Sequence, residues 1–172
     1  MNTIVPAEAL GASAPVSYDP AVKSRYLQAV RRMEKLHRRL LDMLKEELDR
    51  SGRDDVTSVQ ALLLYNIGDQ ELSAGDLRRR GYYLGSNVSY NIKKLVEARY
   101  LQSARSALDR RSVRISLAEK GHAVHAMVQA LYDRHAETLE VAGGLTLPDI
   151  DVLNRMLVRL DRFWAHQVKY KQ

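Results

Sequence analysis

With 172 residues, the chain can form one domain with a buried core, or a small domain extended by long helices, but not two independent enzymes. Lys and Arg number 27 against 21 Asp and Glu, a net charge of +6. A local positive surface of this kind concentrates polyanions through counterion release, which makes nucleic acid the natural partner and an anionic membrane surface the weaker rival. There is no cysteine, so disulfides, thiolate metal sites and thiol redox chemistry are excluded.

Residues 1–19 place Pro6, Gly11 and Pro15 among Ala and Ser, without a basic start or an apolar run of signal-peptide length, and read as a flexible tail. Later segments are interrupted by charge well short of the roughly 20 apolar residues that cross a bilayer, so a soluble, cytoplasmic protein with no membrane partner is expected. Asp19-Pro20 opens a helix, since Asp caps and Pro fits the first turn. Val22, Tyr26, Val30, Met33, Leu36, Leu40, Leu44 and Leu48 then keep helical steps as far as Ser51-Gly52, with Lys, Arg and Glu on the other face. So long a stripe requires a partner, either the far end of the chain or a second copy.

Thr57 to Gly68 reads as a short, mostly buried helix behind a Thr cap, and Ser73 to Gly81 as another, ending in Arg78-Arg79-Arg80. Gly85 to Arg99 follows as a helix with Val88, Ile92, Leu95 and Val96 on one stripe, leaving Asn87, Ser89, Tyr90, Lys93 and Lys94 outward. Tyr100–Ser103 and Val113–Leu117 read as two strands joined by a polar, basic connection, in which Val113, Ile115 and Leu117 alternate with Arg114 and Ser116. The positive excess collects at Arg78 to Arg80, at Lys93 and Lys94, and from Arg99 to Arg114. A last pair of helices is expected, Glu119 to about Gly143 and then one opened by Thr146-Leu147-Pro148-Asp149, with Ile150, Leu153, Leu157, Leu160, Trp164 and Val168 as its stripe.

The order helix, helix, turn, helix, hairpin, together with Asp109-Arg110-Arg111-Ser112 and then Leu117-Ala118 and Gly121, resembles the MarR family of bacterial winged-helix regulators across roughly Ala21 to Val168. Family wings read Asp, any residue, Arg, then Ser or Ala, followed by Leu, Thr and a nearby Gly. Ala118 departs from this pattern where the family has a capping Thr, and Ser116 is the hydroxyl that could stand in. The resemblance implies a mainly α fold with a small β-hairpin wing. A tail at 1–19 would precede an N-terminal dimerisation helix at 20–56, a winged helix-turn-helix domain at 57–118 and C-terminal dimerisation helices at 119–172. It also implies a homodimer that reads a pseudo-palindromic operator in double-stranded DNA, and repression relieved by a small aromatic effector. More loosely, the chain looks like a branch that governs cell-wall transpeptidase and stress genes.

Asn87, Ser89 and Tyr90 are the candidates for base readout, because Asn pairs bidentately with adenine and a Tyr ring edge packs on a thymine methyl. Ser86 would cap the helix and donate to a phosphate, with Lys93 and Lys94 as phosphate clamps. In the wing, Asp109 could hold Arg111 in a planar ion pair and present Arg110 or Arg111 to a narrow minor groove, with Arg105 and Arg114 on phosphates. For every one of these residues the plain alternative is a solvated helix face or an exposed salt bridge that touches nothing.

Tyr26, Met33 and Tyr65 are weak candidates for a ligand pocket, since such residues at helical spacing are more often core. His122 and His125 stand one turn apart without a third ligand, so neither a metal nor a cofactor is expected. No glycine loop for phosphate, nucleophile with base or metal-ligand cluster supports an enzyme. The competing reading is a winged-helix interaction module whose basic face meets an acidic protein.

Overall fold

The structure is a computed structural model and describes residues 19–79, 86–105 and 113–169. The chain divides into two compact units, Met1–Leu40 and Leu41–Gln172, and the division falls within the first helix. The tail, Gly81 to Gly85 and the wing tip with Asp109, Arg110 and Arg111 lie outside the described residues.

Asp19 accepts the Ala21 N–H at 2.8 Å, and helix α1 then runs Pro20–Arg50. It closes on Gly52, which has a φ of 65°, with the Arg53 N–H donating to the Leu48 carbonyl at 3.0 Å and the Gly52 N–H to that of Asp49 at 3.1 Å. Only glycine takes this left-handed conformation without a Cβ penalty. Helix α2, Ser58–Ile67, begins with a reciprocal cap. Thr57 Oγ1 accepts the Gln60 N–H at 3.2 Å, while Gln60 Oε1 accepts the Thr57 N–H at 3.0 Å.

A two-residue strand that the sequence reading did not anticipate, β1 at Leu72–Ser73, precedes helix α3, Ala74–Arg79. The helix therefore starts one residue later than the predicted Ser73, because Ser73 ends the strand and caps the helix. Asp76 Oδ2 accepts the Ser73 N–H at 2.8 Å and its hydroxyl at 2.6 Å, and Ser73 Oγ accepts the Asp76 N–H at 3.0 Å.

Helix α4, Ser86–Glu97, leads through a left-handed Arg99 (φ 62°) into β2, Leu101–Arg105, and β3 follows at Val113–Leu117. The strands form an antiparallel sheet in the order β1-β3-β2, with Ser103 opposite Ile115 and Leu72 on the other side of Ile115. Ile115 and Leu117 are buried as the alternation predicts, but Val113 is half exposed.

Helix α5, Glu119–Gly143, buries Val124, Val128 and Leu131, and packs against α2, whose Ala61, Leu63, Leu64 and Ile67 are buried. Leu44 and Leu48 of α1 complete this core. Among them Glu47 is buried but paired, accepting from Arg134 at 2.8 Å and from Arg50 at 2.8 Å. Gly144, with a φ of 64°, ends α5, and Thr146 with Asp149 opens helix α6, Leu147–Lys169. Among the described residues no helix is long and apolar enough to cross a membrane.

Candidate nucleic-acid interface

Helix α4 is held from beneath, at its middle and at its C-terminal end. Leu95 is fully buried, and Ile92 and Val96 are half-buried beside it, which fixes the apolar side against the sheet and α3. At the helix end the Tyr100 N–H reaches the Leu95 carbonyl at 2.8 Å and the Arg99 N–H reaches that of Val96 at 3.1 Å. This closing turn normally employs glycine, so Arg99 in a left-handed conformation costs about 1 kcal/mol.

Tyr100 is itself buried, and its hydroxyl donates to Asp55 Oδ1 at 2.7 Å, which anchors the end of α4 to the loop before α2. Burial, followed by the bond to Asp55, raises the Tyr100 hydroxyl above its usual range. A second tie is Gln60, whose Nε2 donates to Asn91 Oδ1 at 3.3 Å and so joins the α2 cap to the middle of α4. Neither Gln60 nor Asn91 stood out in the sequence, since their meeting depends on two helices 31 residues apart crossing.

The outward face carries Ser89, Tyr90, Lys93 and Lys94, all exposed. Lys94 Nζ stands 5.9 Å from the centre of the Tyr90 ring, within cation–π range. Glu97, absent from the sequence candidates, takes both lysines, with Nζ of Lys93 at 3.9 Å and that of Lys94 at 3.4 Å. The signal was there in the spacing, since i,i+4 and i,i+3 pairs face each other on a helix. Helix α4 begins at Ser86, which places Ser86 in the first turn, and Asn87 follows it; the side chains of both lie outside the description.

Arg114 is on the sheet, where its guanidinium donates to the Glu71 carbonyl at 3.4 Å and stands 3.8 Å from Asp76 Oδ2, tying β3 to the start of α3. Arg105 ends β2, its side chain outside the description. Ser116 does not cap α5: its hydroxyl accepts from Gln102 Nε2 at 3.1 Å, and the N-cap position of α5 is Ala118, with no side-chain cap. The Gly121 of the wing pattern has a physical reason, because a Cβ there would stand 2.1 Å from the Tyr100 carbonyl oxygen, which also accepts the Ala118 N–H at 3.0 Å.

Of the pocket candidates, Tyr65 stacks on His125 at 5.2 Å, meets Tyr132 edge-on at 5.0 Å and donates to Gln129 Oε1 at 3.1 Å. Tyr26 and Met33 belong to the first unit, partly exposed. A cleft on the second unit, lined by Met43, His135, Thr138, Leu139, Ala142 and Gly143, includes none of the three. Among the described residues no group of three or more His, Asp or Glu is placed to hold a metal ion.

Residues 56–121 match the family described as Winged helix DNA-binding domain. The chain is 34% identical over 145 residues to the exopolysaccharide II synthesis transcriptional activator ExpG of Rhizobium meliloti (strain 1021), covering 84% of this chain and 74% of that protein. Its fold is similar to the transcriptional regulator SlyA, with a TM-score of 0.70 at 17% identity over 84% of this chain and 99% of that one. It is also similar to Streptococcus pneumoniae FabT crystallised with DNA, with a TM-score of 0.63 at 19% identity over 83% and 99%. With that relative and these fold matches, the chain belongs to the MarR family of winged-helix DNA-binding transcription regulators.

Proposed function

We propose that the protein acts as a homodimer that binds a pseudo-palindromic operator, each copy laying α4 in the major groove and its wing on the adjacent minor groove. The observation that carries this reading is the outward face of α4, where Ser89, Tyr90, Lys93 and Lys94 stand exposed on a helix held at its underside, its middle and its C-terminal end. A rigid helix with short polar groups near its start and cations a turn later suits base edges first and phosphates second.

Asn87, Ser89 and Tyr90 read bases in this proposal, with Ser86, Lys93, Lys94, Arg105 and Arg114 on phosphates. Arg110 or Arg111, steadied by Asp109, enters the minor groove. Lys93 and Lys94 must leave Glu97 to reach a phosphate, which tempers their affinity for any duplex. The dimer would use the exposed apolar residues of α1 and α6, among them Val22, Leu36, Leu153 and Leu157.

The resemblance implies repression relieved by a small aromatic effector, whereas the 34% identical relative is named as an activator. We favour the relative on the sign of control and keep an aromatic effector as the family-level expectation. That relative's name concerns exopolysaccharide synthesis and lends no support to a branch devoted to cell-wall transpeptidase genes.

The test is fluorescence anisotropy on the DNA upstream of the protein's own gene and of exopolysaccharide genes, against shuffled duplexes. Selective binding by two chains per site is the expected result. Asn87→Ala should then relax base preference more than it lowers non-specific affinity, and Arg111→Ala should weaken binding with the dimer intact. Wild-type affinity in the Arg111→Ala variant would exclude the wing mechanism.

A further inference from the structure

The winged domain does not account for the charge of this chain. Residues 57–118 hold ten Lys or Arg against five Asp or Glu, a net of +5, and residues 19–40 alone hold seven against two, also +5 in about a third of the length. Residues 119–172 are neutral, seven against seven. Residues 19–40 therefore match, length for length, the most positive stretches of the winged domain.

That charge is organised along the helix. Arg25, Arg32 and Arg39 repeat every seven residues on one line, with Arg31, Lys35 and Arg38 beside them, while Val22, Tyr26, Val30, Met33, Leu36 and Leu40 occupy the other side. All six cations are exposed, and among the described residues none has an ion pair or a hydrogen bond, Glu34 notwithstanding. The rest of the same helix behaves differently, because Lys45 pairs with Asp49 and Arg50 with Glu47. Neutralising pairs at i,i+4 are available to a helix at no cost in fold, so a face that omits them keeps its field for something outside the molecule.

We infer that this face of α1, centred on Arg32, Lys35 and Arg39, binds the phosphodiester backbone of double-stranded DNA without regard to sequence, as a second contact separate from the winged domain. From Arg25 to Arg39 the helix rises about 21 Å, over which a duplex presents one negative charge per ~1.7 Å of axis. A polymer of uniform charge matches a straight, one-signed stripe of that length, whereas the acidic surface of a folded protein is mixed in sign. Five of the seven cations in this segment are arginine, whose planar fork takes phosphate in two-point hydrogen bonds. The backbone could belong to DNA flanking the operator or to a second duplex.

The test compares the full-length protein with the triple variant Arg32→Gln, Lys35→Gln, Arg39→Gln, in which glutamine preserves helix propensity and circular dichroism verifies the helix. Affinity is read against salt on a short operator duplex and on one extended by flanking sequence, and a bead-bound duplex is used to capture a second, labelled one. On the extended duplex or in the capture assay, the variant should bind about tenfold more weakly, with a salt slope shallower by about 0.9 per lost phosphate contact, and it should be unchanged on the short operator. Loss only on the extended duplex assigns the face to flanking DNA, and loss only of capture assigns it to a second duplex.

Repeating the comparison in a Lys93→Ala, Lys94→Ala background separates the two readings, since residual salt-dependent binding that the triple variant abolishes belongs to α1 whether or not α4 reads an operator. Wild-type affinity, slope and capture in the triple variant would overturn the inference. So would tighter binding of the wild type to polyglutamate than to a duplex of equal charge, which would point to an acidic protein instead.

Discussion

Helices α5 and α6 are similar in length, 25 and 23 residues, and both carry an apolar stripe, yet α5 buries Val124, Val128 and Leu131 while no described side chain of α6 is buried. Leu153, Leu157 and Trp164 remain 49%, 43% and 38% exposed on α6. Periodicity thus identifies an apolar face without identifying what covers it. The face of α5 is covered by α2 within the chain, whereas that of α6 stays exposed among the described residues. Covering each half-exposed leucine would contribute about 1 kcal/mol towards the proposed dimer.

The strongest contrast would come from placing one charge on each helix. Val128→Asp puts an unpaired carboxylate into the α2–α5 core, which costs on the order of 5 kcal/mol and should unfold the domain outright, seen as loss of the thermal transition. Leu157→Asp should leave the circular dichroism spectrum and the winged domain intact but convert the protein to monomer in analytical ultracentrifugation. If the α6 variant stays dimeric, its apolar face is not the dimer surface.

The next effect distinguishes two glycines, one at each end of α5. At Gly121 an added Cβ meets the Tyr100 carbonyl oxygen at 2.1 Å, so Gly121→Ala forces β2 and α5 apart and should cost about 2–3 kcal/mol, lowering the melting temperature by roughly 5–10 °C. Gly144, between α5 and α6, has open space around it and only its φ of 64° to defend, so Gly144→Ala should cost about 1 kcal/mol.

Glu47→Gln should come out near the second of these, about 1 kcal/mol. It keeps the volume but removes the charge that Arg134 of α5 and Arg50 of α1 address, and both arginines reach into solvent that screens them. Helix α6 has no such tie to α1 among the described ion pairs, so the Glu47 variant should melt earlier without changing its oligomeric state.

The elements that were legible in the sequence share a physical reason. Helices α1, α2 and α6 combine an apolar period with a local start signal, and Thr57 with Gln60 or Thr146 with Asp149 forms its cap from residues three apart, while α5 has the period without a side-chain cap. Strand β1 was not legible because its two residues, Leu72 and Ser73, have no period and become a strand only when β3 lies beside them. For the same reason Tyr100 read as an ordinary strand residue, although its hydroxyl reaches Asp55 across 45 positions. The outward face of α4 followed from the pattern, but its restraint by Gln60 did not, since that bond exists only in the packed structure. The basic face of α1 was present in the sequence throughout and was eclipsed by the arginines of the wing, which a motif made conspicuous.

The smallest effect belongs to the start of α6, where the Thr146 hydroxyl and N–H both donate to Asp149 Oδ2, at 2.6 and 2.9 Å. The hydroxyl bond first, and the backbone bond after it, hold the Asp149 carboxyl below its ordinary value of 3.8. A carboxyl lowered in the folded state contributes its stability above that ordinary value and loses it as pH falls through the lowered one. The first turn of α6 should therefore fray only in acid below about pH 3.8, and hydrogen exchange at the Thr146 and Ile150 amides should report it. Asp149→Asn cannot ionise, so it should bring faster exchange at neutral pH and abolish the acid dependence there, while the amides of α5 keep their protection. Equal loosening of α5 and α6 would mean that the two helices open as one unit, and that the exposed face of α6 is more firmly joined to the α2–α5 core than its side chains indicate.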